Sequence, residues 1–190
     1  MSATMIPFAN PSDPSALNPV FGWQPGGAVG NAYDLTLYPG ELSLIADAES
    51  SGKYPALIYP FQGNFQVSVR LDFQTDGPYI QAAGIGFRAS GGGGGAFIQS
   101  LFGGDGLEIL SGAADQTFSD PYANSVVYLR ITKRGTLFST EYSANGTNWV
   151  TLVNNSVISL PDNVEVYLYA FSDNDEGVVA RFSEFNIVER

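Results

Sequence analysis

Cysteine and histidine are both missing from the 190 residues of this chain. Without cysteine there are no disulfide bonds, no thiolate metal ligands and no thiol nucleophiles. Without histidine there is no Ser-His-Asp or Cys-His catalysis and no imidazole ligand for zinc. Any acid–base chemistry must therefore come from carboxylates, tyrosine or lysine.

Basic residues are also scarce. Eight lysines and arginines stand against 19 aspartates and glutamates, which gives a formal net charge of −11. A surface of this charge repels DNA and anionic membranes, so we expect neither a nucleic acid nor a membrane as partner. Cations, neutral sugars and basic proteins are more suitable partners.

Long apolar runs are absent too. The N-terminal sequence "MSATMIPFANPSDPSALNP" has no basic n-region and no apolar h-region, so it does not predict a signal peptide. No apolar run approaches the roughly 20 residues that a transmembrane helix needs. The cytoplasm is therefore the default location, and the chain length fits one domain.

Short runs of alternating apolar and polar residues fill most of the chain, and no stretch has helical periodicity. The clearest run is "FQVSVRLDF", residues 65–73, in which every second residue is apolar. Period-2 alternation predicts strands with one buried and one solvated face. Repeated short strands of this kind indicate an antiparallel sandwich or barrel. We expect it over residues 28–190, after an irregular, proline-rich arm over residues 1–27.

Two local sequences predict specific backbone features. In "VVARFSEFNIVE", Phe182 and Phe185 are three residues apart, and a β-bulge near Ser183 and Glu184 would place both rings in the core. In "EYSANGTNWVTL", residues 141–152, the Asn-Gly pair supplies the positive φ angles of a tight hairpin turn. Trp149 then starts the return strand and is expected to cover the end of the core. The stretch is similar to the Ser-x-Asp-x-Gly-x-x-Trp box of sialidases but one residue shorter, so we favour a structural turn.

The segment "YLRITKRGTLFSTEYSANGTNWVTL", residues 128–152, resembles a pattern in concanavalin A-like lectin/glucanase domains. In that pattern an arginine-bearing strand, a basic-Gly turn, an aromatic strand, a Ser-x-Asn-Gly turn and a tryptophan follow one another. The final strand is similar to theirs as well. The nearest resemblance is to a bacterial family of uncharacterised domains, named after a regulator of enolase. It covers about residues 30–189 and implies an all-β, antiparallel two-sheet jelly-roll sandwich.

The resemblance implies that a sugar would lie across an outer sheet face or on the rim loops. Arginine and tyrosine on rigid strands are suitable ligands for sugar hydroxyls and ring faces. Gly84 and Gly86 would allow a ligand to approach the backbone closely. We therefore predict a carbohydrate-binding or adhesion module whose outward, solvent-facing site residues share one face: Gln66, Arg70, Tyr128, Arg130, Glu165, Tyr167 and Tyr169.

Two other functions remain open. Glucanases of this fold need a pair of carboxylates on one strand, and Asp47 and Glu49, which have the alternate spacing, stand alone beside a turn. A non-catalytic module is therefore favoured over a glycoside hydrolase or lyase. A structural or regulatory domain with a protein partner fits the composition equally well, and the sequence leaves the oligomeric state open.

One oxygen-rich turn is a candidate cation site. The sequence "SDNDEG", residues 172–177, places Asp173 and Asp175 at alternate positions, as calcium ligands often are. It lacks the remaining ligands of an EF-hand loop, and the alternative is a solvated turn that Asp and Asn favour. The only expected cofactor is therefore Ca²⁺, at this turn.

Overall fold

The computed structural model describes residues 4–28, 30–47, 54–75, 80–92, 94–103, 106–113, 116–173 and 177–190. All regular structure within these ranges is β-strand, so none of it is a helix that could span a membrane. The described residues form seventeen strands, and the prediction of an all-β fold is confirmed. In chain order they are β1 (Thr4–Met5), β2 (Ala9–Asn10), β3 (Asp13–Leu17), β4 (Gly22–Gln24), β5 (Ala32–Asp34), β6 (Leu42–Ala46), β7 (Ala56–Gln62), β8 (Phe65–Phe73), β9 (Gln81–Ala89), β10 (Gly95–Gly103), β11 (Gly106–Ala113), β12 (Gln116–Pro121), β13 (Val126–Arg134), β14 (Leu137–Ser143), β15 (Val150–Val157), β16 (Asn163–Ser172) and β17 (Val178–Glu189).

Two large antiparallel sheets pack face to face as a jelly-roll sandwich. The back sheet has eight strands in the order β15-β14-β13-β8-β17-β6-β5, with β1 also paired to β17. The front sheet has seven strands in the order β12-β11-β10-β9-β16-β7-β4. Strands β2 and β3 form a separate ribbon. The predicted antiparallel two-sheet sandwich is therefore confirmed.

The core lies between the inner faces of the two sheets. Strand β8 alternates as its sequence predicts, and Phe65, Val67, Val69 and Leu71 are fully buried. These side chains pack against side chains of the front sheet. The Phe87 ring centroid, for example, is 5.5 Å from that of Phe65. Burying such a side chain contributes roughly 1.5–3 kcal/mol. The polar residues between them consequently lie on the outer face of the back sheet.

The predicted bulge in β17 is confirmed. Glu184 has a φ of 53°, and the register with β8 shifts between Ser183 and Asn186. The extra residue reverses the side-chain parity, so Phe182 and Phe185 both point into the core and are at most 1% exposed.

The N-terminal segment is built into the sandwich. Strand β1 pairs with β17 of the back sheet, and β4 pairs with β7 of the front sheet. The Phe8 and Phe21 rings pack against Phe185 at centroid distances of 5.9 and 5.6 Å. The expectation of a separate arm ending at residue 27 is thus wrong for its described residues, because it overlooked the apolar side chains between the prolines.

The β14–β15 connection is a structural turn, but its geometry differs from the predicted one. Only Gly146 has a left-handed φ, of 73°, and the connection spans residues 144–149 instead of two residues. The Ser143 hydroxyl accepts hydrogen bonds from the backbone N–H groups of Asn145 and Gly146. The Asn145 carboxamide oxygen accepts those of Thr147 and Asn148. These two side chains are therefore engaged in shaping the loop.

Candidate functional site

The seven predicted site residues do not share one face. Gln66 and Arg70 lie on β8, and Tyr128 and Arg130 lie on β13, the neighbouring strand of the back sheet. Glu165, Tyr167 and Tyr169 lie on β16, in the front sheet. The prediction of a common face is wrong, because β13 and β16 belong to opposite sheets. Alternation shows which residues point outward but does not show which sheet a strand joins.

Arg130, on the outer face of the back sheet, is engaged with neighbouring side chains. Both oxygens of the Glu141 carboxylate contact the Arg130 guanidinium, each at 2.7 Å. The same guanidinium lies 3.9 Å from the centre of the Trp149 ring. Trp149 is therefore half-buried on this outer face, where it packs on a cation instead of covering the end of the core.

Arg70 and Arg181 belong to a second polar network on this face. Arg181 forms an ion pair with Asp72 and lies 4.4 Å from the Tyr38 ring centre. Glu41 lies between the two arginines, 3.7 Å from Arg70 and 3.9 Å from Arg181. These contacts tie adjacent strands together, and a ligand would have to displace them to use the guanidinium groups.

The outer face of the front sheet carries a concave, mostly apolar groove. Beneath it runs the row of small residues Ala82, Gly84 and Gly86 on β9, of which Ala82 belongs to the lining, and β10 and β16 lie on either side. Each flanking strand places larger side chains beside this row. Gly84, for example, lies opposite Tyr169 of β16 on one side and opposite Gln99 of β10 on the other. We call this the aromatic groove; its volume is about 300 Å³ and its lining is Tyr54, Ile80, Ala82, Phe97, Gln99, Leu101, Tyr167, Tyr169 and Phe171.

Tyr167 and Tyr169 are buried in this groove, although they were expected to point into solvent. They are 7% and 5% exposed. A Cβ atom on Gly86 would lie 2.4 Å from Cζ of Tyr167, so that ring fills space which only a glycine leaves free. The Tyr169 hydroxyl reaches across to β10 and donates to the carboxamide oxygen of Gln99. The two rings thus form the floor of the groove.

Tyr167 and Tyr169 keep their hydroxyl groups protonated. Tyr54 stacks against Tyr169 at 5.0 Å, and Tyr169 lies 5.6 Å from Tyr167. Burial, and after it the proximity of the neighbouring tyrosines, raises the pKa of both Tyr167 and Tyr169 well above the ordinary value. At neutral pH the groove therefore offers neutral hydroxyls and ring faces.

Glu165 lies beyond one end of the groove, and its negative charge is compensated by Arg88. Its carboxylate accepts a hydrogen bond from Arg88 at 2.9 Å, and Arg88 also donates to Gln24 at 2.9 Å. The described lining of the groove contains no carboxylate. Glycoside hydrolysis with two carboxylates therefore has no candidate pair among the described residues of this lining.

The candidate calcium turn is only partly described. Asp173 is exposed, and its backbone N–H donates to the carbonyl oxygen of Ile80 at 3.1 Å. Asp175 lies outside the described residues. Within the parts of the chain that are described, no three acidic side chains come together as a metal site. The Ca²⁺ site at Asp173 and Asp175 therefore stays a prediction.

Alkaline pH is expected to destabilise the fold through its buried tyrosines. Burial, and after it the hydrogen bond to the Asp120 carboxylate, raises the pKa of Tyr142 to about 12. An unfolded tyrosine loses its proton near pH 10, so the stabilisation is complete below pH 10 and is lost as pH rises towards 12. Denaturant titrations should show unfolding free energies that fall by up to about 1.4 kcal/mol per pH unit for each such tyrosine. In the Tyr142→Phe variant the unfolding free energy should fall less steeply with pH. An unchanged pH dependence would contradict the assignment of the effect to Tyr142.

Comparisons with known proteins support the fold. No protein-family model matches the chain, and no curated protein sequence does either. A functionally unknown protein from Saccharomyces cerevisiae is similar in structure, with a TM-score of 0.72 and 16% identity over 90% of this chain and 97% of that one. Lectin I-B4 from Griffonia simplicifolia has a TM-score of 0.60 and 12% identity over 90% and 94%. The GH43 protein BlXynB from Bacillus licheniformis has a TM-score of 0.69 and 15% identity over 93% of this chain but only 38% of its own. At these identities the likeness establishes a concanavalin A-like jelly roll and nothing finer.

Proposed function

We propose that this protein is a non-catalytic carbohydrate-binding module and that its ligand lies in the aromatic groove. The observation that carries the proposal is the groove itself, in which a row of small residues on β9 is flanked by aromatic side chains and one carboxamide. The lectin that shares the fold makes this function compatible with the architecture. The earlier resemblance to the bacterial domains named after a regulator of enolase belongs to the same proposal.

The lining has the chemistry that a sugar ring needs. A pyranose has apolar C–H faces and polar edges, so it stacks on an aromatic ring while its hydroxyls form hydrogen bonds. Tyr54 and Phe97 are half-buried and offer such surfaces. The Gln99 carboxamide oxygen is taken by Tyr169, which leaves its N–H donors for a sugar hydroxyl. The volume of about 300 Å³ is at the small end of ligand sites.

A protein-interaction domain is the second candidate function. The observation that favours it is the apolar character of the groove, since Ile80 at its rim is 49% exposed. Exposed apolar side chains beside a concave surface also suit a peptide. The two functions differ in what binds, so one set of variants tests both.

Glycan binding should depend on the aromatic groove and not on the opposite face. We expect neutral oligosaccharides from a glycan array to bind with Kd values of about 10⁻⁶ to 10⁻³ M. Phe97→Ala and Gln99→Ala should each weaken that binding at least about tenfold in calorimetric titrations, a loss of about 1.4 kcal/mol. Tyr128→Ala, an aromatic truncation on the back sheet, is the matched control and should bind normally.

Two outcomes would overturn this assignment. If no neutral glycan binds, the proposed function fails and the protein-interaction function takes its place. If Tyr128→Ala loses binding while Phe97→Ala keeps it, the site lies on the back sheet. Thermal unfolding of every variant should accompany the titrations, so that a folding defect is not mistaken for a lost contact.

A further inference from the structure

Two arginines of this acidic protein have no carboxylate partner among the described residues, and they lie close to the same side chain. Arg70, Arg88, Arg130 and Arg181 each form an ion pair. Arg134 and Arg190 form none with any described residue. Arg134 lies two residues after Thr132, which pairs with Gln66 across the strands, and Arg134 and Gln66 line the same groove. Arg190 donates to the Gln66 carboxamide oxygen at 2.7 Å.

A polar groove lies beside these arginines on the outer face of the back sheet. Its volume is about 260 Å³. Hydroxyls and carboxamides from strands β8, β13, β14 and β15 dominate its lining, and Arg134 is its only unpaired charge among the described residues. We call this the polar groove; it is lined by Gln66, Thr132, Arg134, Leu137, Phe138, Ser139, Glu141, Thr151, Asn154 and Asn155.

A bulge in the edge strand β15 shapes one wall of the polar groove. Thr140 pairs with Val153 but Phe138 pairs with Ser156, so two asparagines stand opposite the single residue Ser139. Asn155 has a left-handed φ of 50°, and its N–H donates to the Ser139 hydroxyl oxygen at 2.9 Å. Bulges of this kind re-aim side chains at sheet edges. Here the bulge brings both carboxamides, Asn154 and Asn155, to the groove.

The charge inside the polar groove is locally positive. The Glu141 carboxylate is compensated by Arg130, with both of its oxygens occupied. Arg134 therefore contributes an uncompensated positive charge, with Arg190 adjacent through Gln66. The net charge of −11 opposes an anionic ligand at long range, but salt at physiological strength screens charges beyond about 8 Å. The arginines near the groove consequently dominate at contact.

We propose that the polar groove is a second binding site, distinct from the aromatic groove, and that it takes the carboxylate of a uronic acid residue in an acidic oligosaccharide. A guanidinium binds a carboxylate through two parallel hydrogen bonds, which suits Arg134. The sugar ring beside that carboxylate carries several hydroxyls, and the surrounding hydroxyls and carboxamides offer donors and acceptors for them. The two grooves lie on opposite outer faces, so the chain is able to hold two glycan segments at once.

The test compares an acidic sugar with its uncharged form. Tetrasaccharides of galacturonic, glucuronic and mannuronic acid, and their methyl esters, are titrated calorimetrically at 150 mM salt. At least one acid should bind, and its methyl ester should bind at least tenfold more weakly, because esterification removes the charge and leaves the ring hydroxyls in place. Arg134→Gln should weaken binding of the acid at least tenfold and leave binding of the ester unchanged. Arg70→Gln, which removes a guanidinium of the same sheet face outside the polar groove, is the matched control and should bind the acid normally. Phe97→Ala is titrated as well, to show whether the acid uses the aromatic groove.

Several results would overturn the proposal. It fails if none of the three acids binds, if acid and ester bind equally, or if Arg134→Gln retains full affinity. A glutamate-rich peptide that binds as tightly as the best acid would show simple attraction of anions instead of sugar recognition. Loss of uronate binding in Phe97→Ala would mean that the aromatic groove is the only glycan site. That last result leaves the proposed function intact and removes only the second site.

Discussion

Replacing Gly84 by alanine is expected to lower the free energy of unfolding by more than about 3 kcal/mol, or to prevent folding altogether. Gly84 lies in β9 opposite Gln99, and a Cβ atom there would be 2.2 Å from the carbonyl oxygen of Ile98 and 2.6 Å from Cα of Gln99. Both atoms are backbone, so no side chain can rotate away. Strands β9 and β10 would have to separate, which breaks the middle of the front sheet.

Gly94→Ala is the matched control for this prediction. Gly94 is close to the start of β10, and an added Cβ would meet nothing within 4 Å. Its unfolding free energy should be unchanged or slightly higher, because alanine restricts the unfolded chain. Urea denaturation of both variants checks the pair. A Gly84→Ala protein as stable as the parent would contradict the prediction, because it would show that β9 and β10 separate with little loss of free energy.

Replacing Lys133 by methionine is expected to stabilise the protein by about 1–3 kcal/mol. Lys133 occupies an inward position of β13, opposite Phe65 and Phe138, and is 0% exposed. Its ammonium group donates one long hydrogen bond, 3.4 Å, to the carbonyl oxygen of Gly63 and forms no ion pair within the described parts of the chain. A buried charge with so little compensation is unfavourable. Methionine keeps the length of the stem and removes the charge.

Lys133→Ala separates the packing of the stem from the effect of the charge. It removes the charge too, but it leaves a cavity among the phenylalanines. The free energy of unfolding should therefore fall by about 2–4 kcal/mol. Thermal and urea unfolding of both variants measures the difference. If Lys133→Met is less stable than the parent, the bond to Gly63 is worth more than the desolvation it requires, and the lysine holds the β7–β8 turn in place.

The local periodicity of the sequence was sufficient to predict the strands, since a side chain's face depends only on its neighbours along the chain. The alternation in β8 and the parity change at Phe182 and Phe185 are of this kind. Sheet membership is different, because it depends on pairing between distant segments. Nothing in the sequences of β13 and β16 shows that one joins the back sheet and the other the front sheet.

The tyrosines illustrate a second limit. Gly84 and Gly86 were interpreted as space for a ligand, and they do provide space, but Tyr167 and Tyr169 from the adjacent strand occupy part of it. An outward position on a strand does not by itself make a side chain exposed. A large side chain beside a glycine is able to lie flat across the sheet. Whether an outward side chain is exposed or buried therefore depends on the residue that faces it on the neighbouring strand.

The residues of β10 in the aromatic groove were missed for a similar reason. Phe97, Gln99 and Leu101 alternate in the sequence "AFIQSLF", but the apolar residues between them give no sign of which set faces outward. A usable signal was the row of small residues on the preceding strand. Small residues at every second position on one strand leave room beside larger ones on its neighbours, and they mark where a sheet face becomes concave.

The central position of β8 in the back sheet bears on how the chain folds during synthesis. Its partners are β13 and β17, and the ion-paired residues Asp72 and Arg181 are 109 positions apart. At about 5–20 residues per second, a ribosome needs roughly 5–20 s to make the intervening segment. Through that interval the buried side chains of β8 have no complete sheet to join. Contacts of such large sequence separation slow folding, so this strand is exposed to aggregation in the nascent chain until its partners have been made.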